Sequence, residues 1–235
     1  MRTLAGVAGV VATLTLPIGL GRVEAVAFDQ PNLVEQERQR EQWQRVPELF
    51  QELGVRQGAV IGDVGAGSGF ATVRLSRAVG TTGRVLAIDI RDDIVARLQE
   101  RVAAERLANV TVVKGDANNP RLDAASLDAA LIIDAYHEMT EPEAMLAHLK
   151  RALKPGGRLV IVERTTAKTA RLTREEQTKG HHLALPFLRR DLERAGFRID
   201  HVVNEFTRYY PDALGDVEYL VRASPDLRGR SGRDR

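Results

Sequence analysis

The chain has 235 residues, of which 43% are hydrophobic and 28% are charged, and this composition is typical of a globular protein of one domain with short appendages. It carries 34 Lys and Arg against 32 Asp and Glu, and a net charge of +2 gives no reason to expect a nucleic-acid partner. The absence of cysteine excludes disulfides, thiolate metal sites, iron–sulfur clusters and a cysteine nucleophile.

Residues 1–27 have the pattern of a secretory signal peptide. Arg2 precedes an uncharged run over residues 3–21, and Ala25-Val26-Ala27 offers a cleavage site before Phe28. The run of 19 residues is close to the length of about 20 that spans a bilayer, so an uncleaved membrane anchor is the alternative, and a misplaced start codon or a bland apolar segment is a third. We expect export to the periplasm or the exterior, or membrane anchoring with transient membrane contact, against a cytoplasmic alternative.

The middle of the chain alternates helices and strands, as the spacing of apolar residues indicates. The sequence predicts helices at 33–53 (restarted at Pro47), 70–79, 92–107 and 140–153, a helical stretch ending at Ala195, and strands at 60–64, 84–90, 110–113, 127–134, 159–163, 199–203 and 217–223. Thr140 and Glu143 fit a capping box at the start of one helix. This order predicts an α/β fold with a parallel sheet and helices on both faces, and the last two strands are expected to pair as an antiparallel hairpin. The domain would cover residues 28–223 and be followed by a disordered basic tail at 224–235.

A glycine-rich loop joins the first strand to the following helix, with the sequence Asp63-Val64-Gly65-Ala66-Gly67-Ser68-Gly69. Glycine permits a tight turn and lets a ligand approach where a Cβ would clash. Ligands in such sheets bind at the carboxyl ends of the strands. The spacing G-x-G-x-G differs from the G-x-G-x-x-G of a dinucleotide site, and a tight turn without a ligand remains the alternative.

Three later segments support a nucleoside site. Asp89 ends the second strand, where a carboxylate can accept hydrogen bonds from both ribose hydroxyls. Gly115-Asp116-Ala117 follows the third strand, and Leu153-Lys154-Pro155-Gly156-Gly157-Arg158-Leu159 introduces the fifth. The alternative for each acidic residue is a helix cap or a surface charge.

Together these segments resemble the class I S-adenosylmethionine-dependent methyltransferase family over about residues 40–223. The resemblance implies a Rossmann-like seven-stranded sheet with an antiparallel last strand, and S-adenosylmethionine as the cofactor. It implies that Asp63 and the three glycines hold the methionine portion, Asp89 the ribose, Asp116 and the Ala117 backbone the adenine, and that Ile90 packs on the adenine face. The cofactor-binding residues are then Asp63, Gly65, Ala66, Gly67, Gly69, Asp89, Ile90, Asp116, Ala117 and Asp134.

Within that family, Trp43-Gln44-Arg45-Val46-Pro47 and Asp134-Ala135-Tyr136-His137-Glu138 resemble small bacterial methyltransferases that often carry a signal peptide. The implied function is in-line methyl transfer to a small-molecule acceptor of unknown identity. The alternatives are a non-catalytic exported nucleoside-binding module and a nicotinamide-dependent oxidoreductase.

The loop after the fourth strand holds the candidate catalytic residues. His137 is the first candidate for a general base because imidazole titrates near neutral pH, and its alternative is to shape the pocket. Tyr136 and Glu138 are further candidates on the same loop. We expect no metal, because His181 and His182 are adjacent and would diverge on a helix.

Two other features leave their alternatives open. Residues 164–179 are basic and either attract an anionic acceptor or form a solvated lid. Trp43, the only tryptophan, either covers the cofactor site or docks the N-terminal helix.

Overall fold

A computed structural model of the chain describes residues 31–208 and 216–226. The predicted signal segment and most of the predicted basic tail lie outside the described residues. Within the described part, no helix has the length and apolar character needed to cross a membrane.

The described residues form seven helices and seven strands, close to the predicted order. The helices are α1 (Pro31–Trp43), α2 (Val46–Leu53), α3 (Phe70–Val79), α4 (Asp92–Ala104), α5 (Pro142–Ala152), α6 (Arg174–Lys179) and α7 (Leu185–Arg194). The strands are β1 (Val60–Val64), β2 (Arg84–Asp89), β3 (Val110–Lys114), β4 (Leu127–Ile133), β5 (Leu153–Thr165), β6 (Phe197–Arg208) and β7 (Val217–Pro225).

The seven strands form one sheet in the order β3-β2-β1-β4-β5-β7-β6. The first five strands pair in parallel, whereas β7 runs antiparallel to both β5 and β6. This topology confirms the predicted Rossmann-like seven-stranded sheet with an antiparallel last strand, and it confirms the late hairpin.

The core lies in two layers, one on each face of the sheet. Successive residues of a central strand enter opposite layers: Leu131 packs with α2 and α3, whereas Ile132 packs with α5 and α7. Val160 and Ile161 divide in the same way on β5. Since both faces are covered, the strands read as continuous apolar runs.

Ion pairs fasten α1 to the sheet domain. Glu37 accepts hydrogen bonds from Arg101 at 2.6 Å and from Arg74 at 3.2 Å, and the side chains of Glu37 and Arg101 are only 12% and 8% exposed. Arg101 also donates to the carbonyl oxygen of Ser68 in the glycine loop at 2.7 Å. The N-terminal helix is therefore fixed beside that loop.

One local prediction was wrong. Helix α5 begins at Pro142 after Glu141, and the Thr140–Glu143 capping box does not form because the helix begins one residue too late for it. A capping box forms instead at Thr173 and Glu176, at the start of α6.

Candidate active site

The carboxyl ends of the parallel strands bring the predicted site residues to one edge of the sheet. Asp63 lies in β1 near its end, Asp89 ends β2, and Asp134 follows β4 directly. Because β2, β1 and β4 are neighbours in the sheet, these three acidic residues share that edge.

The glycine loop turns sharply there through residues with positive φ. A Cβ at Gly65 (φ 75°) would lie 2.5 Å from the Cβ of Ala135, so only glycine lets the loop after β4 approach this closely. A Cβ at Gly67 (φ 54°) would meet only one backbone oxygen, at 4.0 Å. The glycine at position 67 thus faces open space, which is the condition for close approach of a ligand.

Asp89 links the glycine loop to the start of α4. Its Oδ2 accepts a hydrogen bond from the Gly67 N–H at 3.1 Å, and its Oδ1 accepts one from the Arg91 N–H at 3.1 Å. Ile90 follows it with 49% of its surface exposed, one of three large hydrophobic side chains that the described residues leave exposed. An exposed apolar side chain next to a carboxylate suits a ligand with a flat apolar ring and hydroxyl groups.

Asp63 is buried beneath the loop. Its Oδ2 accepts a 2.6 Å hydrogen bond from Thr72 Oγ1 on α3. Burial raises the pKa of Asp63 to about 6, although the hydrogen bond from Thr72 opposes the shift. A carboxylate held in this way would be stabilised by a cationic ligand.

Asp116 and Ala117 follow β3 at the same edge. The carboxylate of Asp116 accepts two hydrogen bonds from Arg121, at 2.8 and 3.0 Å, which lower its pKa. An adenine contact by the Asp116 carboxylate would share it with Arg121, and the role of Asp116 stays a prediction.

Asp134 begins the loop after β4 in an unusual backbone conformation, with φ at 52°. Its Oδ2 forms an ion pair with Arg164 on β5. Its buried Oδ1 has no hydrogen-bond partner among the described residues. A strained residue with an unsatisfied buried oxygen is typical of a position that a ligand completes.

His137 lies in a 3₁₀ turn of this loop and is only 3% exposed. The carboxylate of Glu163, which is completely buried on β5, accepts hydrogen bonds from the His137 backbone N–H at 3.1 Å and pairs with its Nδ1 at 2.9 Å. Burial alone would lower the pKa of His137, but Glu163, helped by Asp134 and Glu138, raises it above its ordinary value. Nε2 has no hydrogen-bond partner among the described residues.

The two other catalytic candidates differ in exposure. Tyr136 is buried, donates its hydroxyl to Asp191 Oδ2 at 3.1 Å, and has its pKa raised by burial. These contacts favour a packing role for Tyr136. Glu138 is exposed, with one carboxylate oxygen 3.9 Å from His137 Nε2 and 3.7 Å from His181 Nδ1.

The predicted divergence of His181 and His182 rested on a helix, and this premise was wrong. Both residues lie in the loop between α6 and α7. His181 packs edge-on against the His137 ring, with centroids 5.6 Å apart, whereas His182 pairs with Asp216 at 3.2 Å. Donor atoms of His137, Glu138 and His181 lie within 4.8 Å of one another, as do those of Asp134, His137 and Glu163, so the spacing itself is compatible with a cation. The expectation of no metal stays a prediction.

Acidic neighbours neutralise much of the basic segment at 164–179. Arg164 pairs with Asp134, Arg174 with Asp191 at 2.5 Å, and Lys179 with Glu175 at 2.7 Å. The paired charges leave the segment less able to attract an anion than the sequence suggested.

Sequence patterns assigned no role to two residues near the site, the half-buried Arg40 on α1 and the buried Glu218 on β7. Glu163 stood at the end of a predicted strand, but nothing in the sequence connected it with His137, 26 positions away. Glu163 and Glu218 could have been noticed as carboxylates within apolar strands, because a buried carboxylate needs a partner. No sequence signal pointed to Arg40.

Known proteins resemble the part of the chain that contains Asp63, Asp89, Asp116 and Asp134. Residues 61–157 match a family model described as a methyltransferase domain. The demethylmenaquinone methyltransferase of Staphylococcus aureus (strain MRSA252) is 32% identical over 136 residues, which are 58% of this chain and 55% of that protein. The ubiquinone/menaquinone biosynthesis C-methyltransferase of Marinomonas sp. (strain MWYL1) is 32% identical over 122 residues, or 52% and 48% of the two chains. The chain therefore matches about half the length of these relatives.

A solved structure extends the likeness to most of the fold. A S-adenosylmethionine-dependent methyltransferase from Aquifex aeolicus superposes with a TM-score of 0.67 and 27% identity, covering 83% of this chain and 98% of that one. Residues 61–157 thus have the predicted methyltransferase domain, and the likeness to the Aquifex aeolicus protein supports the prediction of S-adenosylmethionine as cofactor. The roles of the individual residues stay predictions.

The geometry fits that cofactor on independent grounds. Gly67 leaves open space for a ligand, and the exposed Ile90 lies beside the Asp89 carboxylate. The Oδ1 of Asp134, which has no hydrogen bond within the described residues, is available to a ligand donor. Asp63 supplies a buried negative charge for a cationic methionine end.

Proposed function

We propose that the chain transfers a methyl group from S-adenosylmethionine to a small-molecule acceptor at the carboxyl edge of β1, β2 and β4. The observation that carries this proposal is the hydrogen bond that ties the Gly67 N–H to Asp89 at 3.1 Å, next to the exposed Ile90. A turn without a ligand would account for glycine at the positive φ of position 67, but it has no need of a half-buried carboxylate and an exposed isoleucine at the same place.

The sulfonium group supplies an activated methyl, so the protein contributes mainly alignment and exclusion of water. Asp89 binds the ribose hydroxyls, Ile90 packs on the adenine, and Asp63 and the glycine loop hold the methionine end. The loop from Asp134 to Glu138 packs against Gly65 through Ala135, and this contact fixes the acceptor side of the site relative to the cofactor side.

His137 acts as the general base when the acceptor is a hydroxyl or an acidic carbon. Glu163 holds the Nδ1–H tautomer, and the lone pair of Nε2 is then left to take the proton from the acceptor. Glu163 is a positioning residue, because it acts through His137. In the Ser-His-Asp triad a buried carboxylate likewise holds the tautomer and orientation of the imidazole without itself taking the proton.

The acceptor is a small molecule that carries a proton to be lost. The two relatives are described as methyltransferases of demethylmenaquinone and of ubiquinone and menaquinone biosynthesis, and quinols with ionisable hydroxyls are for that reason the first compounds to try. We also propose that the chain works outside the cytoplasm or at the membrane, on the strength of the signal pattern in residues 1–27.

Isothermal titration calorimetry with S-adenosylmethionine and S-adenosylhomocysteine tests the cofactor. An acceptor screen that measures release of S-adenosylhomocysteine then tests the reaction. Saturable binding of both cofactors and turnover with a protonated acceptor are expected. Binding without turnover across hydroxyl and carbon acids would favour the non-catalytic nucleoside-binding module, and binding of a nicotinamide cofactor in their place would favour the oxidoreductase.

A further inference from the structure

Arg40 on α1 is a half-buried cation beside the glycine loop. Its guanidinium lies 4.2 Å from the centre of the Phe70 ring and 5.8 Å from that of Trp43. Phe70 is the first residue of α3 and directly follows Gly69, the last glycine of the loop. Arg40 is therefore at the end of the site where β1 and the glycine loop meet.

The charge of Arg40 has no close counter-ion among the described residues. No carboxylate there comes within ion-pair distance of it, whereas Glu218, Asp134, Asp63 and Glu37 act on it at longer range. Burial lowers the pKa of Arg40, and these four carboxylates act in the opposite direction. A half-buried guanidinium without a paired anion suits a ligand that supplies that anion.

A chain of hydrogen bonds fixes the orientation of the guanidinium. Arg40 Nε donates to Gln44 Oε1 at 2.8 Å, and Gln44 Nε2 donates to Glu218 Oε2 at 2.8 Å. Thr207 Oγ1 donates to the same oxygen at 2.5 Å, and Gln44 and Glu218 are both buried. Nε is thus occupied, and Nη1 and Nη2 make no hydrogen bond to the described residues.

The predicted cofactor site lacks one partner that the cofactor requires. Its methionine end carries an ammonium and a carboxylate, and the residues predicted to hold it, Asp63 and the glycines, offer a negative charge and backbone N–H groups but no cation. A guanidinium fork matches a carboxylate because two parallel N–H···O bonds form at once.

We propose that Arg40 binds the α-carboxylate of the methionine end of S-adenosylmethionine through its free Nη1 and Nη2. This inference rests on the proposed function and adds to it a cofactor-binding residue outside the glycine loop and outside residues 61–157. It also assigns a role in cofactor binding to α1, because the ion pairs of Glu37 with Arg74 and Arg101 hold this helix where Arg40 can reach the glycine loop.

The test compares two ligands that differ only in the carboxylate. S-adenosylhomocysteine and its decarboxylated analogue, which keeps the amine, are titrated calorimetrically into the parent chain, Arg40→Met and Arg40→Lys. Arg38→Met is the matched control, because Arg38 lies on the same helix but is exposed and pairs with Glu35 at 2.7 Å. Circular dichroism and thermal melting establish that each variant is folded.

Arg40→Met should bind S-adenosylhomocysteine about 10- to 100-fold more weakly than the parent, as expected for a charged hydrogen-bonded pair. It should bind the decarboxylated analogue as the parent does, Arg40→Lys should lie between, and Arg38→Met should match the parent for both ligands. Equal weakening for both ligands would overturn the proposal, because Arg40 would then only shape the pocket. Unchanged affinity for S-adenosylhomocysteine would overturn it too. If the parent chain binds neither ligand, the proposed function itself is refuted. If the parent binds and Arg40→Met binds equally well, only the role of Arg40 is refuted.

Discussion

Replacing Asp89 by alanine should weaken S-adenosylhomocysteine binding while leaving the fold intact. In the proposed site each ribose hydroxyl donates to the Asp89 carboxylate, and a hydrogen bond to a charged acceptor contributes about 1.5–3 kcal/mol. A total loss of about 2 kcal/mol or more corresponds to a rise in Kd of about 30-fold or more. The structure adds a second cause, because the same carboxylate accepts the 3.1 Å hydrogen bond from the Gly67 N–H and holds the loop in place.

Titration calorimetry can separate these two causes. Asp89→Asn keeps an oxygen for the Gly67 N–H but loses the charge, so we expect it to bind more tightly than Asp89→Ala and more weakly than the parent. Asp93→Ala is the control, since Asp93 is an exposed residue in the first turn of α4 that pairs with Arg91 at 2.9 Å. If Asp89→Ala binds as tightly as Asp93→Ala, Asp89 does not belong to the site.

Four further outcomes are expected. His137→Gln should lower turnover about 100-fold with little change in cofactor affinity. Glu163→Gln should move the acidic limb of the pH–rate profile to lower pH, because Glu163 raises the pKa of His137 and the base works unprotonated. An unchanged acidic limb would refute the pairing of Glu163 with His137. Affinity for S-adenosylhomocysteine should fall as the pH drops through about 6, where Asp63 gains a proton and loses its attraction for the ammonium group, and Asp63→Asn should remove this dependence in a calorimetric pH series. Residues 1–30 fused to a reporter active only outside the cytoplasm should give a signal, with a new N-terminus near Phe28 by mass spectrometry, whereas a soluble product that retains Met1 would refute export.

The sheet could be predicted because its strands are buried on both faces. Such strands appear as short apolar runs between turn residues, and Asp63 and Asp89 mark the ends of two of them. Once the strands are parallel, their carboxyl ends share one edge, and the position of the cofactor side of the site follows without knowledge of any side-chain contact.

The acceptor side could not be predicted in the same way. The pairing of His137 with Glu163 depends on the register of β4 against β5 and on a 3₁₀ turn, which no local pattern specifies. Arg40 enters the site because ion pairs hold α1, and the sequence of that helix resembles an ordinary charged surface helix. Long-range pairing of polar side chains leaves little trace in one sequence.

The features that break the usual rules of folded proteins gather at one place in this structure. Within the part of the chain that the structure describes, Asp134 has a strained backbone and an oxygen without a hydrogen bond, His137 has a buried nitrogen without one, and Ile90 exposes apolar surface. Burial raises the pKa of Asp63 to about 6, and Arg40 is half-buried without a counter-ion among the described residues. Each of these costs folding free energy, and departures of this kind persist where function requires them. A single nucleoside with both positive and negative groups, bound at this edge, would offset several of these free-energy costs together. This physical argument for a ligand site is independent of the family resemblance, and it predicts that binding raises the thermal stability of the chain.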